Sequence, residues 1–152
     1  MLETPHVLIA AAIATKVPNP LLAIPLCLAS HFVLDILPHW NPHINRELKK
    51  YGKPRKESVR LITVDSFVAL FGGIFLATRV HNPSHTILIL VCCLISVLPD
   101  VVEAPYYFLG KKTTIIEKWI TWQKSIQNDI DPLPGLLSQL AIILMSLVWI
   151  LF

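Results

Sequence analysis

Leu133-Pro134-Gly135-Leu136-Leu137-Ser138-Gln139-Leu140-Ala141-Ile142-Ile143-Leu144-Met145-Ser146-Leu147-Val148-Trp149-Ile150-Leu151-Phe152 carries no charged side chain from one end to the other. About 20 apolar residues in a helix cross the hydrocarbon core of a bilayer, so this stretch reads as a membrane span. Further apolar runs lie upstream, at residues 20–38, 57–79 and 84–99. The 152-residue chain is 54% hydrophobic and 15% charged, against roughly 45–50% and 25% in soluble domains. The expected fold is all-α: an integral membrane helix bundle of four to five apolar helices plus one interfacial amphipathic helix. Residues 1–152 form a single membrane domain.

Local signals divide the chain. Thr4-Pro5 is an N-cap and first-turn signature that opens a helix over residues 5–17. At about 20 Å that helix is too short to span alone, and Ala10, Ala11, Ala12 and Ala14 invite a close neighbour. Val17-Pro18-Asn19-Pro20 turns the chain into a helix over 20–38 that bends at Pro25. Asn41 to Arg60 is a polar connector. The helix over 57–79 contains Gly72-Gly73, a pair suited to close packing, and the helix over 84–99 stops at Pro99-Asp100. Residues 113–128 alternate Ile115, Ile116, Trp119, Ile120, Trp122 and Ile126 with Lys118, Gln123 and Lys124 at helical spacing, which predicts an interfacial helix.

Charge sets the expected orientation. Seven of the 13 basic residues (Arg46, Lys49, Lys50, Lys53, Arg55, Lys56 and Arg60) fall in the connector. Short cytoplasmic loops carry such an excess, so the cluster is read as a topology signal and not as a nucleic-acid patch. A multi-pass protein of the inner (plasma) membrane with a cytoplasmic N-terminus is predicted. The opening Met1-Leu2-Glu3-Thr4-Pro5-His6 has an acid and no Lys or Arg, the reverse of a signal-peptide n-region. The three cysteines, Cys27, Cys92 and Cys93, lie inside apolar runs and form no CxxC pair.

Ionisable residues at membrane depth are costly and mark functional sites. Here they are His6, His31, Asp35, His39, Asp65, Asp100 and Glu103, and the orientation fixed by Lys and Arg puts all seven towards one face. Residues four apart share a helix face, so His31 and Asp35 point at a common centre. Imidazole with carboxylate suits zinc, manganese or iron between facing helices, and such a metal lowers the pKa of a bound water to about 7. The same set also reads as a mutually satisfied polar network or as a proton or ion path. His81 and His85 read as turn residues, Cys27 as packing, and Lys49-Lys50 with Lys53-Pro54-Arg55-Lys56 as topology determinants.

Pro5-His6, Ser30-His31-Phe32-Val33-Leu34-Asp35 and Leu98-Pro99-Asp100 together resemble the LexA-regulated, inner-membrane metal-dependent hydrolase family, over about residues 4–104. The resemblance implies a membrane-bound hydrolase whose divalent metal is held by His6, His31, Asp35 and Asp100. Two features depart from the family pattern. Its Pro-Asp-x-Asp stands here as Pro99-Asp100-Val101-Val102-Glu103, and its Thr-His-Ser is missing, with Asp65 in that region. On this reading Asp65 or Glu103 is a further ligand or the general base, and His39 orients the leaving group or completes the metal shell. The substrate is an ester or phosphoester, and a site at headgroup depth points to a lipid or lipid-linked one. The alternative is a non-catalytic membrane protein, an ion-binding transporter or a structural partner. No inverted repeat of the transporter kind is visible.

Overall fold

Seven helices carry the chain in the computed structural model, which describes residues 1–152. They are α1 (Glu3–Lys16), α2 (Pro20–Ile36), α3 (Ile44–Tyr51), α4 (Lys56–Ala77), α5 (Pro83–Phe108), α6 (Thr114–Ile126) and α7 (Pro132–Leu151). By length and composition α4, α5 and α7 are apolar enough to cross a membrane; α2 is apolar but shorter. Their outer faces agree: Phe67, Phe71, Leu94, Leu137 and Leu144 are each more than half exposed. Apolar patches larger than a few hundred Å² are rare on soluble monomers and mark membrane or partner contact.

The bundle closes around α1. At 14 residues it is about 21 Å long, and α2, α4, α5 and α7 all pack on it. Ala10, Ala11, Ala12 and Ala14 have no exposed surface, because methyl side chains let four neighbours approach at once. Of the glycine pair, only Gly73 is needed for this. A Cβ there would stand 3.0 Å from Val7 Cγ1 and 3.4 Å from Cys93 Sγ, whereas Gly72 has nothing within 4 Å.

A helix end inside a bundle leaves backbone groups to be satisfied, and at both ends of α1 side chains from later helices do this. Asp65 of α4 accepts from the Glu3 amide at 2.5 Å and from the Thr4 hydroxyl at 2.6 Å. Gln139 of α7 accepts from the Leu2 amide at 2.9 Å. At the other end His85 Nε2 lies 2.8 Å from the Ala14 carbonyl, so His85 serves as a C-terminal cap besides opening α5.

Three segments differ from expectation. The helix expected to stop at Pro99 runs on through Pro99 and Pro105 to Phe108. Each proline forfeits one amide bond and leaves the carbonyl four residues earlier, Ile95 or Val101, to be satisfied, which helices packed on one another tolerate. Trp119 Nε1 separately ties α6 to the Pro99 carbonyl at 3.4 Å. The polar connector is not all loop. It folds α3, ended by Gly52 at φ +74°, the left-handed conformation that favours glycine. Glu47 then fastens the connector, accepting from the Arg55 amide, the Arg55 Nε–H and the Ser58 hydroxyl at 2.9, 2.8 and 2.7 Å. Burial alone would raise its pKa, but these donors outweigh burial and hold it below the ordinary glutamate value. Lastly, Gln123 of α6 is not on an outward polar face: it is 1% exposed, turned into the bundle with Ile120.

After α2 the chain pairs with the segment following α6. The His39 amide donates to the Asn128 carbonyl at 3.1 Å, and the Ile130 amide to the His39 carbonyl at 2.9 Å. The start of α7 presses on this pairing, since a Cβ on Gly135 would lie 2.5 Å from the Trp40 amide nitrogen.

The α1–α4 contact yields a paired test. Gly73→Val should lower the melting temperature in detergent by the equivalent of about 1–3 kcal/mol of overpacking. Gly72→Ala, with open space around it, should be neutral or mildly stabilising. Equal effects of the two would show that α4 does not close on α1 at Gly73.

Candidate metal centre

The polar interior sits where the start of α1, the end of α2, the middle of α5 and the last turns of α6 meet. His31 and Asp35 lie one turn apart on α2, and both are fully buried. His31 Nδ1 is 2.7 Å from the Ser96 carbonyl, which only an Nδ1–H can donate to. That contact fixes the tautomer and leaves the Nε2 lone pair facing 3.5 Å to Asp35 Oδ2 and 3.9 Å to Asp100 Oδ1. A second-sphere carbonyl that orients an imidazole in this way is a recurrent feature of metal-binding histidines.

His6 reaches the same point from α1. Its ring stacks on that of His31, centroids 4.3 Å apart, and its Nε2 lies 3.5 Å from Asp35 Oδ1. Both ring nitrogens of His6 are buried without a hydrogen-bond partner. Ligand atoms of His6, His31 and Asp100 all lie within 4.8 Å of one another, and Asp35 closes the group from the α2 side. Zinc bound tetrahedrally at about 2.0–2.1 Å keeps its ligand atoms roughly 3.3–3.5 Å apart. The donor set could hold a divalent cation: the two histidine–Asp35 distances match that spacing, and His31–Asp100 at 3.9 Å is somewhat wider. His6, buried without a hydrogen bond, is a cost that such a cation would remove.

Four of the expected residues thus meet: His6, His31, Asp35 and Asp100. The other three stand apart from this point. Asp65 spends both carboxylate oxygens on the first turn of α1. That makes it a helix cap, and it has no free lone pair directed at the centre. Glu103, one turn beyond Asp100 on α5, keeps a buried oxygen without a partner. It lines a cavity of about 400 Å³ that it shares with Asp65, Asp100 and Gln123. His39 turns the other way. Its Nδ1 contacts the Leu37 carbonyl at 2.8 Å, and its Nε2 faces Asp129 Oδ1 at 4.0 Å. His43 and Lys124 approach Asp129 at 3.7 and 3.1 Å. Burial holds both His39 and His43 below the ordinary histidine value. Cys27 packs in the core against α1.

Sequence reasoning missed the lid of the centre. Gln123 Nε2 donates to Asp100 Oδ1 at 2.5 Å and lies 3.3 Å from His31 Nε2. One turn on, Gln127 Nε2 donates to Asp35 Oδ2 at 3.2 Å, and the Met1 amino group contacts Asp35 Oδ1. The signal is present as two glutamines four apart, Gln123 on the last turns of α6 and Gln127 at its C-terminal cap. No protein-family model, no curated protein and no solved structure matches this sequence.

If Gln123 orients Asp100 for a cation, Gln123→Ala should weaken zinc binding about 10–100-fold, the usual loss when such an outer partner is removed. Competition against a fluorescent zinc chelator reads this directly. An unchanged affinity would reduce Gln123 to a packing residue.

Proposed function

We propose that this chain is a membrane-embedded, metal-dependent hydrolase of ester or phosphoester bonds, with its centre at the cytoplasmic interface of the inner membrane. The observation that supports the reading is the convergence of His6, His31, Asp35 and Asp100, with neither nitrogen of His6 in a hydrogen bond. Two imidazoles and two carboxylates suit zinc first, with manganese or iron as alternatives. A divalent cation held there supplies Lewis acidity to an ester or phosphoryl oxygen and acidity to water.

The residues of the chain carry the remaining roles. Ser96 holds the His31 tautomer, while Gln123 and Gln127 orient Asp100 and Asp35. Glu103 is a further ligand or the general base, since it lines the cavity beside Asp100 and one of its oxygens has no hydrogen-bond partner. Asp65 fixes the start of α1, and so the position of His6, two residues beyond the capped Thr4. The resemblance to the inner-membrane hydrolase family supports the same assignment. A non-catalytic polar network is the second reading. The amides of Gln123 and Gln127 favour it, since they give both carboxylates hydrogen-bond donors without a metal.

Metal content separates the two. The purified protein should hold about one equivalent of transition metal, and a hundredfold excess of zinc over its dissociation constant should stabilise it by about 2.7 kcal/mol. His31→Ala and Asp35→Asn should abolish both effects while the helices still insert. Wild-type protein that carries no metal and gains no stability from zinc, manganese or iron would instead establish the polar network.

The proposed orientation places the connector, α6 and the centre on the cytoplasmic side. A cysteine introduced at Lys50 should resist impermeant thiol reagents in intact cells and react after lysis. Labelling from outside would reverse the orientation.

A further inference from the structure

The cavity beside the centre is graded along its length. On α4, Ser66, Ala69 and Gly73 share one face, three and four residues apart, and their small side chains set that wall back. Across from them stand Leu94 and Val97 of α5, with Asp100 and Glu103 one turn further on. The start of α1 forms the floor, and Gln123 and Lys124 of α6 close the polar end. A volume of about 400 Å³ lies within the roughly 300–1,000 Å³ of small-molecule sites, which are mostly apolar with a few placed polar groups. Ser66, Leu70 and Leu94 are exposed, so the groove opens on the flank between two helices that are each long and apolar enough to cross a membrane.

We propose that this groove binds the hydrocarbon chain of a single-chain bilayer amphiphile. The molecule enters sideways between α4 and α5 and brings an ester-linked, uncharged polar head to Asp100 and Glu103. Four carboxylates (Glu3, Asp65, Asp100 and Glu103) line the polar end, against the single lysine Lys124. Asp65 and Asp100 disfavour an anionic head there, whereas a hydroxylated, glycerol-like head finds hydrogen-bond partners among the four carboxyl groups. The narrow wall made by Ser66, Ala69 and Gly73 suits one chain, and the bilayer supplies it along the open flank. This deepens the hydrolase reading, and rests on it, only for the fate of the ester; chain binding stands on the groove alone.

Photolabelling tests the site. A monoacylglycerol with a diazirine at mid-chain is the probe, and full-length protein is reconstituted in phosphatidylcholine nanodiscs. Adducts should concentrate on Leu70, Ile74, Leu90 and Leu94, and unlabelled monoacylglycerol should compete them away. Ser66→Trp fills the mouth from α4, and Leu94→Trp fills it from α5. Each should reduce labelling about tenfold, the effect of about 1.4 kcal/mol, with helical content retained. Leu144→Trp, on the outer face of α7, should leave it unchanged. Non-saturable labelling spread over the outer faces of α4, α5 and α7 would overturn the proposal, as would labelling indifferent to both groove substitutions. Metal content of the same samples keeps the two readings distinct: saturable groove labelling in metal-free protein would retain the lipid site and dismiss the hydrolase.

Discussion

A helix that stops inside a bundle leaves its first four amides without partners, and hydrocarbon offers no water to satisfy them. α1 is such a helix, since its 14 residues end well short of a bilayer's thickness and other helices surround it. Asp65 and Gln139 are drawn inward to cap it, and His6 sits in the first turn next to those caps. The buried polar centre is therefore a consequence of where α1 begins. A longer first helix would carry its end to the surface and place His6 in an apolar layer.

Once the end of α1 is fixed, the neighbouring charges must be matched. Asp35 is fully buried, and an isolated carboxylate at that depth would neutralise or unfold its surroundings. The structure surrounds it with two imidazoles, the Gln127 amide and the Met1 amino group. Asp100 receives Gln123 in the same way. The donors come from α1, α2 and the α6 segment, so the centre also ties α6 to helices that it otherwise touches little. This coupling explains why α6 turns a glutamine inward and leaves Ile115 exposed to the outside.

The elements that could be read from sequence were those with a long period or a local rule. Long apolar runs mark α4, α5 and α7; the four-residue spacing pairs His31 with Asp35; the alanines of α1 announce close packing. Reading failed where the outcome depends on a partner far along the chain. Pro99 looked like a stop because its local cost is visible, while the packed helices that sustain α5 beyond it are not. Gln123 looked solvated because its neighbours Lys118 and Lys124 are charged. Asp65 was indistinguishable from a ligand until the amides of Glu3 and Thr4 were seen beside it. His39 suffered likewise, for its facing group, Asp129, is remote in sequence and belongs to a loop.

The contact of α7 with α1 has a consequence for how the molecule is made. Gln139 reaches the Leu2 amide and the Trp40 carbonyl, and Gly135 abuts the Trp40 backbone. An early helix is thus completed by one that lies more than a hundred residues later in the chain. Until α7 leaves the ribosome, the opening amides of α1 lack one of their acceptors and the loop at His39–Trp40 has no backing. The hairpin of α1 and α2 must wait at the membrane, unfinished, through translation of all the intervening spans. Contacts so distant in sequence slow folding, because chain entropy is surrendered before any contact repays it. Closure of the bundle on α1 therefore waits for α7.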